Sequence, residues 1–392
     1  MKILYYSPHP NVNMAAPSGP GTHIREVVSA FGNSGHTVVR LIAGGETLSS
    51  SASIQFKKRG YKKFIPTVLW QTMKDYKLLR FDKMMEQQLL QLIEKEKPDI
   101  IYERAYYLMG SGHRAAKTTG MKYVCEINAP YPDEKAEMEG KSLFHHKAVM
   151  NEKEQAWQAH SIVVVSSALK KYLIEKTGVN EGKIIITPNA VNPEHIEIKR
   201  GLLAEIRNKL EVRTDDKVIG FVGSIFPYHG VDILLEAFVQ LKAKGKDNIK
   251  LLIVGDGEIL NQLKQQAADS VYASDIHFTG NVPHAQVYTY IEAMDITVMA
   301  RSNWYGSPVK IFEYGAMRKL VIAPDEIPVH DVMVHDQNGY IIKADRQSLV
   351  YHLELALNDA QHAETLAANF HQKVMREHTW QHVGDAILNS LQ

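Results

Sequence analysis

The 392-residue chain has one cysteine, Cys125, which excludes an internal disulfide and any cysteine-cluster zinc site. Cys125 falls in an apolar run, 122–127, where a buried, inert thiol is expected. Net charge is nearly absent as well: 45 Lys and Arg against 44 Asp and Glu leave +1. That balance removes the electrostatic case for nucleic acid as a partner. No stretch of about 18 apolar residues occurs, so no helix is expected to span a membrane. The opening MKILYYSPHP has too short an apolar run for a signal peptide, and a cytoplasmic protein is expected. The chain has no HExxH motif despite its 18 histidines. His9, His23, His113 and the His145-His146 pair show no ligand spacing on one helix face. No metal is therefore expected, and most histidines should be surface or capping residues.

A chain of 392 residues exceeds the usual size of a single core, so two domains are expected. Its 45% apolar and 23% charged composition is that of a soluble globular protein. Residues 2–6 read as a buried strand, followed by a loop with Pro17, Gly19, Pro20 and Gly21, a helix over 22–34 closed by Gly35, and a strand over 37–43. A strand, glycine loop and helix open a doubly wound α/β domain, whose ligands bind beyond the carboxyl ends of the strands. The spacing is not GxGxxG, so the dinucleotide fingerprint is missing. The glycines let backbone amides approach a phosphate or a sugar; a plain βα turn is the other reading. Alternation resumes after residue 80, with a helix over 81–95, strands at 99–102, 122–127, 161–165 and 183–187, and one long helix over 134–159. Polar groups gather at the strand ends: Glu103 with Arg104, Glu126 with Asn128, Ser166 with Ser167, and Asn189.

A linker is expected near 190–200, before a second series of strands. These cover 217–222, 250–254 and 276–279, ending in Gly223-Ser224, Gly255-Asp256-Gly257 and Gly280-Asn281. The fold class is therefore α/β, with two Rossmann-like doubly wound domains facing a cleft. The expected domains are 1–195 and 196–370, with a helix in 371–392 packing back on the first.

Residues 302–323, SNWYGSPVKIFEYGAMRKLVIA, cross a loop into a helix over 308–317 and then a strand. Pro308 suits a first helical turn, and a loop before a helix N-terminus is a ready anion site. Lys310 and Glu313 are three apart and share a face near that end. A cation for phosphate and a carboxylate for sugar hydroxyls suit a nucleotide-sugar; an ordinary surface Lys–Glu pair is the alternative. Residues 55–83 break the α/β pattern. They hold Lys57, Lys58, Arg59, Lys62, Lys63, Lys74, Lys77, Arg80 and Lys83 against Asp75 and Asp82, interleaved with aromatic and aliphatic residues. This segment reads as a peripheral contact with an anionic membrane, as a holder of an acidic or lipid-linked substrate, or as a solvated basic face on a helix–loop insertion.

Five stretches taken together resemble the GT-B glycosyltransferases of the large retaining family 4. They are GHTVV at 35–39, FVGSIFPYHGVDILLEAF at 221–238, LLIVGDGE at 251–258, IHFTGNVPHAQV at 276–287, and 302–323. The resemblance implies a retaining, metal-independent transferase with no cofactor beyond its co-substrate, a UDP- or GDP-linked sugar held by the C-terminal domain. The acceptor would be a glycan, a lipid-linked saccharide or a small molecule, bound mainly by the N-terminal domain. Glu313 matches the second glutamate of the E-x7-E motif, which binds ribose hydroxyls, while Tyr305 stands at the first. Pro308-Val309-Lys310 resembles the S-P-[LV]-K variant of a bacterial branch, which makes Lys310 the residue facing the diphosphate; Gly306 and Ser307 precede it. Ser224 and His229 occupy the positions of the family's diphosphate-binding Arg and Lys, so His229, if protonated, takes part of that role. Asn128 replaces a histidine found in many relatives, leaving Glu103, Arg104, Glu126 and Asn128 to orient acceptor or donor sugar. Gly19 and Gly21 match the family's glycine loop over the donor phosphates. Backbone atoms at Gly280, Asn281 and Val282 are expected to read the base, and Gly255, Asp256 and Gly257 to form a structural turn. A non-catalytic nucleotide-sugar-binding protein, or a GT-B epimerase or phosphorylase, remains the alternative.

Overall fold

The computed structural model describes residues 1–16, 18–47 and 66–391. The expectations placed on Pro17 and on the basic residues at 57–63 lie outside the described residues.

The chain divides into two compact units, residues 1–188 with 380–392, and residues 189–379. The first unit is built from β1 (Lys2–Ser7), α1 (Gly19–Asn33), β2 (Thr37–Ile42), α2 (Thr67–Glu96), β3 (Ile100–Arg104), α3 (Ser111–Thr119), β4 (Lys122–Ile127), α4 (Tyr131–Glu139), α5 (His145–Gln158), β5 (Ser161–Val164), α6 (Ser167–Thr177) and β6 (Ile184–Ile186). Its strands form one sheet in the order β2-β1-β3-β4-β5-β6. Every pairing is parallel. A parallel sheet needs cover on both faces, and its central strands are accordingly apolar and buried.

The second unit repeats the plan. It contains α7 (Arg200–Lys209), β7 (Lys217–Val222), α8 (Val231–Ala243), β8 (Ile249–Val254), α9 (Leu260–Ala268), β9 (Ile276–Gly280), α10 (Val287–Glu292), β10 (Ile296–Val298), α11 (Val309–Ala316), β11 (Leu320–Pro324), α12 (Ile327–His330), β12 (Tyr340–Ile342), α13 (Arg346–Asn358) and α14 (Ala360–Glu377). Its strand order is β12-β11-β10-β7-β8-β9, again all parallel. One buried cluster packs α8, α9 and α13 on one face of the sheet, and another packs α10, α11 and α14 on the other.

The units divide at 188/189 rather than within 190–200. Asn189 belongs to the second unit because its backbone amide donates to Ser307 Oγ (2.9 Å) and its Nδ2 to the Ser307 carbonyl (2.6 Å). The chain re-enters the first unit after Thr379, and α15 (Trp380–Asn389) packs on α1. Gly384 allows that approach, since a Cβ there would lie 2.6 Å from Ala30 Cβ.

Four expected boundaries differ. Helix α1 starts at Gly19, because Ser18 caps it through the Gly21 amide (3.3 Å) and Pro20 fits a first turn that needs no amide hydrogen. Helix α2 starts at Thr67, since its buried stripe begins with polar residues, Gln71, Asp75 and Asp82, that hide the helical period. The helix expected over 134–159 is two helices, broken where Gly140 takes φ 89°, outside the helical region. Helix α11 starts at Val309, with Pro308 extended as its N-cap.

Candidate functional site

In the second unit the polar groups meet at the carboxyl ends of β7 and β10, as a doubly wound sheet requires. Helix α11 is anchored on β7 by Tyr314, whose hydroxyl accepts from the Val222 amide (2.8 Å) and donates to the Val222 carbonyl (3.2 Å). Its N-terminus has no side-chain cap, so first-turn amides there face the loop. Lys310 lies in that turn. Its ammonium donates to His229 Nε2 (3.1 Å) and stands 5.4 Å from the centroid of the Phe221 ring. His229 Nδ1 donates to the Ser224 carbonyl (2.5 Å), which fixes the tautomer and leaves Nε2 as the acceptor for Lys310. Burial and the adjacent Lys310 lower the His229 pKa to about 4, so the ring is neutral at pH 7. The expected second cation is instead an orienting acceptor for the first. Burial lowers Lys310 itself to about 8, with Glu313 opposing the shift.

Glu313 follows one turn later. Burial raises its pKa and Lys310 counteracts the rise. Among the described residues no hydrogen bond or ion pair within 4.0 Å engages its carboxylate, so the surface Lys–Glu pair does not form. The result is an unpaired carboxylate beside an ammonium held by a histidine. Gly223, which follows β7, is required beneath Lys310. It adopts φ +142°, and a Cβ there would lie 2.9 Å from Lys310 Cε. Gly255 is tighter still, with a Cβ position 1.9 Å from the Gly223 carbonyl oxygen, so the Gly255-Asp256-Gly257 turn is structural.

The other expected donor residues surround this centre or frame it. Tyr305 is buried, with its ring edge-on to Trp304 at 5.2 Å. The Gly306 amide donates to Asn303 Oδ1 (2.6 Å), Ser307 is tied to Asn189, and Pro308 and Val309 open α11. Ser224 contributes its carbonyl while its side chain is exposed. Gly280 ends β9, where its carbonyl accepts from the Gly255 amide (3.0 Å); Asn281 is exposed and Val282 packs on the core.

In the first unit the strand-end residues separate by pleat. Arg104 pairs in register with Glu126, and both project to one face, whereas Glu103 is opposite Cys125 and projects to the other. Glu126 is fully buried and its carboxylate is saturated. It accepts from His23 Nε2 (2.8 Å), from the Tyr102 hydroxyl (2.7 Å), and from Arg104 and Asn128. Burial alone would raise its pKa, but His23 and Arg104 hold it well below the carboxylate range. Asn128 thereby has its Nδ2 committed, and its buried Oδ1 has no partner among the described residues. Arg104 Nε donates to the Tyr106 hydroxyl (3.1 Å), and the Tyr106 ring contacts His9 (5.0 Å) and Tyr131 (5.5 Å). Gly21, in the first turn of α1, approaches the Ala16 carbonyl so closely that a Cβ would lie 2.5 Å from its oxygen; Gly19 is open. His23 and His113 are buried, against the expectation for histidines. Sequence reading missed His23, Tyr102 and Tyr106; the one signal for His23 was its place in the first helix, just after the glycine loop.

Glu103 is a core acid rather than a member of this cluster. It accepts from the Tyr123 hydroxyl and, at 3.4 Å, from Gln155 Nε2, and a Cβ on Gly112 would lie 2.4 Å from its Oε2. Burial raises its pKa to about 8. The folded state therefore keeps a proton that the unfolded chain releases near pH ~4.3, and stability falls as pH rises from there through about 8. Glu103→Gln should remove this loss, which a shift from ~4.3 to about 8 sets at roughly 5 kcal/mol at about pH 9 against roughly 1 kcal/mol at about pH 5. Thermal melts of the two proteins at both pH values check it. Among the described residues no group of three or more His, Cys, Asp or Glu side chains is arranged to hold a metal ion.

The family model described as Glycosyl transferases group 1 matches residues 204–373, and the one described as Glycosyltransferase Family 4 matches residues 17–195. An uncharacterized glycosyltransferase of Methanocaldococcus jannaschii, MJ1069, is 26% identical over 189 residues, covering 47% of this chain and 46% of the relative. The capsular polysaccharide biosynthesis glycosyltransferase CapM of Staphylococcus aureus is 26% identical over 222 residues, covering 55% and 57%. The chain thus spans about half the length of these curated relatives. Anabaena Alr3699/HepE, solved in complex with UDP, superposes with a TM-score of 0.72 at 15% identity, covering 100% of this chain and 99% of that one.

Proposed function

We propose a sugar-transfer reaction from one premise: the chain belongs to the group 1 glycosyltransferases of GT-B fold. The donor is a nucleoside diphosphate sugar bound by the second unit, and the UDP held by the Anabaena protein supports a UDP-linked donor here. The observation that carries the reading is the Lys310–His229 hydrogen bond beside the unpaired Glu313 carboxylate at the uncapped start of α11. The diphosphate meets the Lys310 ammonium and first-turn amides, where a dianion is favoured by charge and by the helix dipole. Glu313 accepts from the ribose hydroxyls.

Transfer breaks the bond between the anomeric carbon and the β-phosphate oxygen and forms one to an acceptor oxygen on the same face, so configuration is retained. The acceptor proton passes to the departing phosphate oxygen. Lys310 stabilises the charge that develops there, without a metal ion having to supply it. The acceptor, a glycan, lipid-linked saccharide or small molecule, is assigned to the first unit. There Glu126 holds Arg104 in place. The saturated Glu126 favours one second reading, a nucleotide-sugar-binding protein without turnover.

Incubation with UDP-hexoses and saccharide or glycolipid acceptors, followed by proton NMR of the product, separates these readings. An α-linked product from an α-linked donor supports the reaction. Donor binding without any product supports the second reading. Glu313→Ala should weaken UDP binding by roughly 1–3 kcal/mol, the range for hydrogen bonds to a charged group. If the carboxylate binds ribose, wild type prefers UDP over 2′-deoxy-UDP and the variant binds both alike; an undiminished preference would remove Glu313 from the ribose.

A further inference from the structure

The exposed face of α2 has a composition that the sugar-transfer reading does not use. Leu69, Met73 and Tyr76 are 51%, 53% and 54% exposed and lie at helical spacing on one side, with Val68 and Met84 also exposed. Lys77, Arg80 and Lys83 are exposed among them. Both carboxylates in this half of the helix are turned inward and consumed. Asp75 accepts from the hydroxyls of Tyr107 (2.9 Å) and Ser142 (2.5 Å). Asp82 accepts from the Gly110 and Ser111 amides and pairs with Arg114 at 2.7 Å. The outer face from 68 to 84 is therefore apolar and cationic, with no carboxylate of its own.

The turn between α4 and α5 extends this surface. It lies along the start of α2, where the Leu143 amide donates to Thr72 Oγ1 (3.0 Å) and Gln71 Nε2 to the Glu139 carbonyl (2.8 Å). With the end of α4 it adds Met138 and Leu143, 66% and 71% exposed, with Lys141 between them. Glu139 is neutralised by Lys74 (2.6 Å) and Lys135 (2.7 Å), which leaves Glu137 as the exposed acid at this edge. Beyond Lys83 the character changes, because Glu86 and Glu154 line the neighbouring groove of about 350 Å³.

We propose that this face of α2, with the α4–α5 turn, docks the protein on an anionic lipid bilayer. Protruding Leu, Met and Tyr side chains enter the interface, and Lys77, Arg80 and Lys83 meet lipid phosphates. A second copy of the chain fits less well, since a two-fold contact through this face would set its cations against one another. Docking requires no sugar transfer, so its test stands or falls apart from the transferase reading.

The experiment is co-sedimentation of the full chain with vesicles of phosphatidylcholine alone and of phosphatidylcholine with phosphatidylglycerol, at low and high salt. Wild type should partition onto the anionic vesicles and be released by salt. The triple variant Lys77→Gln/Arg80→Gln/Lys83→Gln should lose roughly 100-fold in partition, about fivefold per charge. Leu69→Ser/Met73→Ser/Tyr76→Ser should also lose binding, and unchanged thermal melts exclude misfolding of these surface variants. Equal binding to both vesicle types, no binding by wild type, undiminished binding by the triple variants, or self-association that the triple variants abolish would each overturn the proposal.

Discussion

Lys310→Ala is expected to lower turnover by about 10²–10³-fold, the range for losing one preorganised charge stabiliser. UDP affinity should fall by less than about tenfold, because first-turn amides and the ribose contact remain. The argument rests on where the ammonium is held. His229 accepts from it, Ser224 fixes the imidazole tautomer, and Gly223 leaves room beneath it. Such an arrangement orients a charge before the reaction needs it. The same geometry sets a pH dependence. With its pKa near 8, Lys310 is charged below that value and loses its proton as pH rises through it. The alkaline limb of kcat/KM, which reports the free protein, should therefore fall near pH 8. Bound diphosphate favours the ammonium, so the limb in kcat should lie higher. A pure affinity loss in the variant, or a pH profile flat through this region, would remove Lys310 from leaving-group stabilisation.

Glu126→Ala should destabilise the first unit by ~3–5 kcal/mol, because it leaves Arg104 buried without its partner. His23, Tyr102 and Asn128 lose an acceptor in the same substitution. Urea unfolding followed by tryptophan fluorescence reads this well, since Trp70, Trp157 and Trp380 all lie in the first unit. The pH dependence has the opposite sign to that of Glu103. The folded-state pKa of Glu126 is depressed, so its contribution is present above the ordinary carboxylate value of ~4.3 and is lost as pH falls below it. The variant should consequently lose part of the wild-type acid sensitivity. An unfolding midpoint unchanged by Glu126→Ala would contradict the buried cluster.

The repeated strand–loop–helix order was legible because parallel strands, buried on both faces, write continuous apolar runs. Helix α2 was less legible. Its inward residues near the start are Gln71, Asp75 and Asp82, chosen for hydrogen bonds rather than for apolar contact, so hydrophobic period gives no signal there. Glu103 and Arg104 are neighbours in sequence but belong to opposite faces of β3, a consequence of pleat that strand-end position alone does not convey. The pairing of Lys310 with His229 rather than Glu313 joins residues 81 apart, and helical spacing points to the nearer partner. Glu126 was visible as a strand-end acid, yet its role as the anchor of Arg104, His23 and Asn128 depends on α1 reaching β4 in three dimensions.

Calorimetric titration of UDP, GDP and ADP into wild type and Glu313→Ala tests the central claim most directly. The account predicts that UDP binds wild type and that the variant loses roughly 1–3 kcal/mol of that affinity. Failure of every diphosphate to bind, or equal UDP affinity in both proteins, would contradict a nucleotide-sugar site built on Lys310 and Glu313.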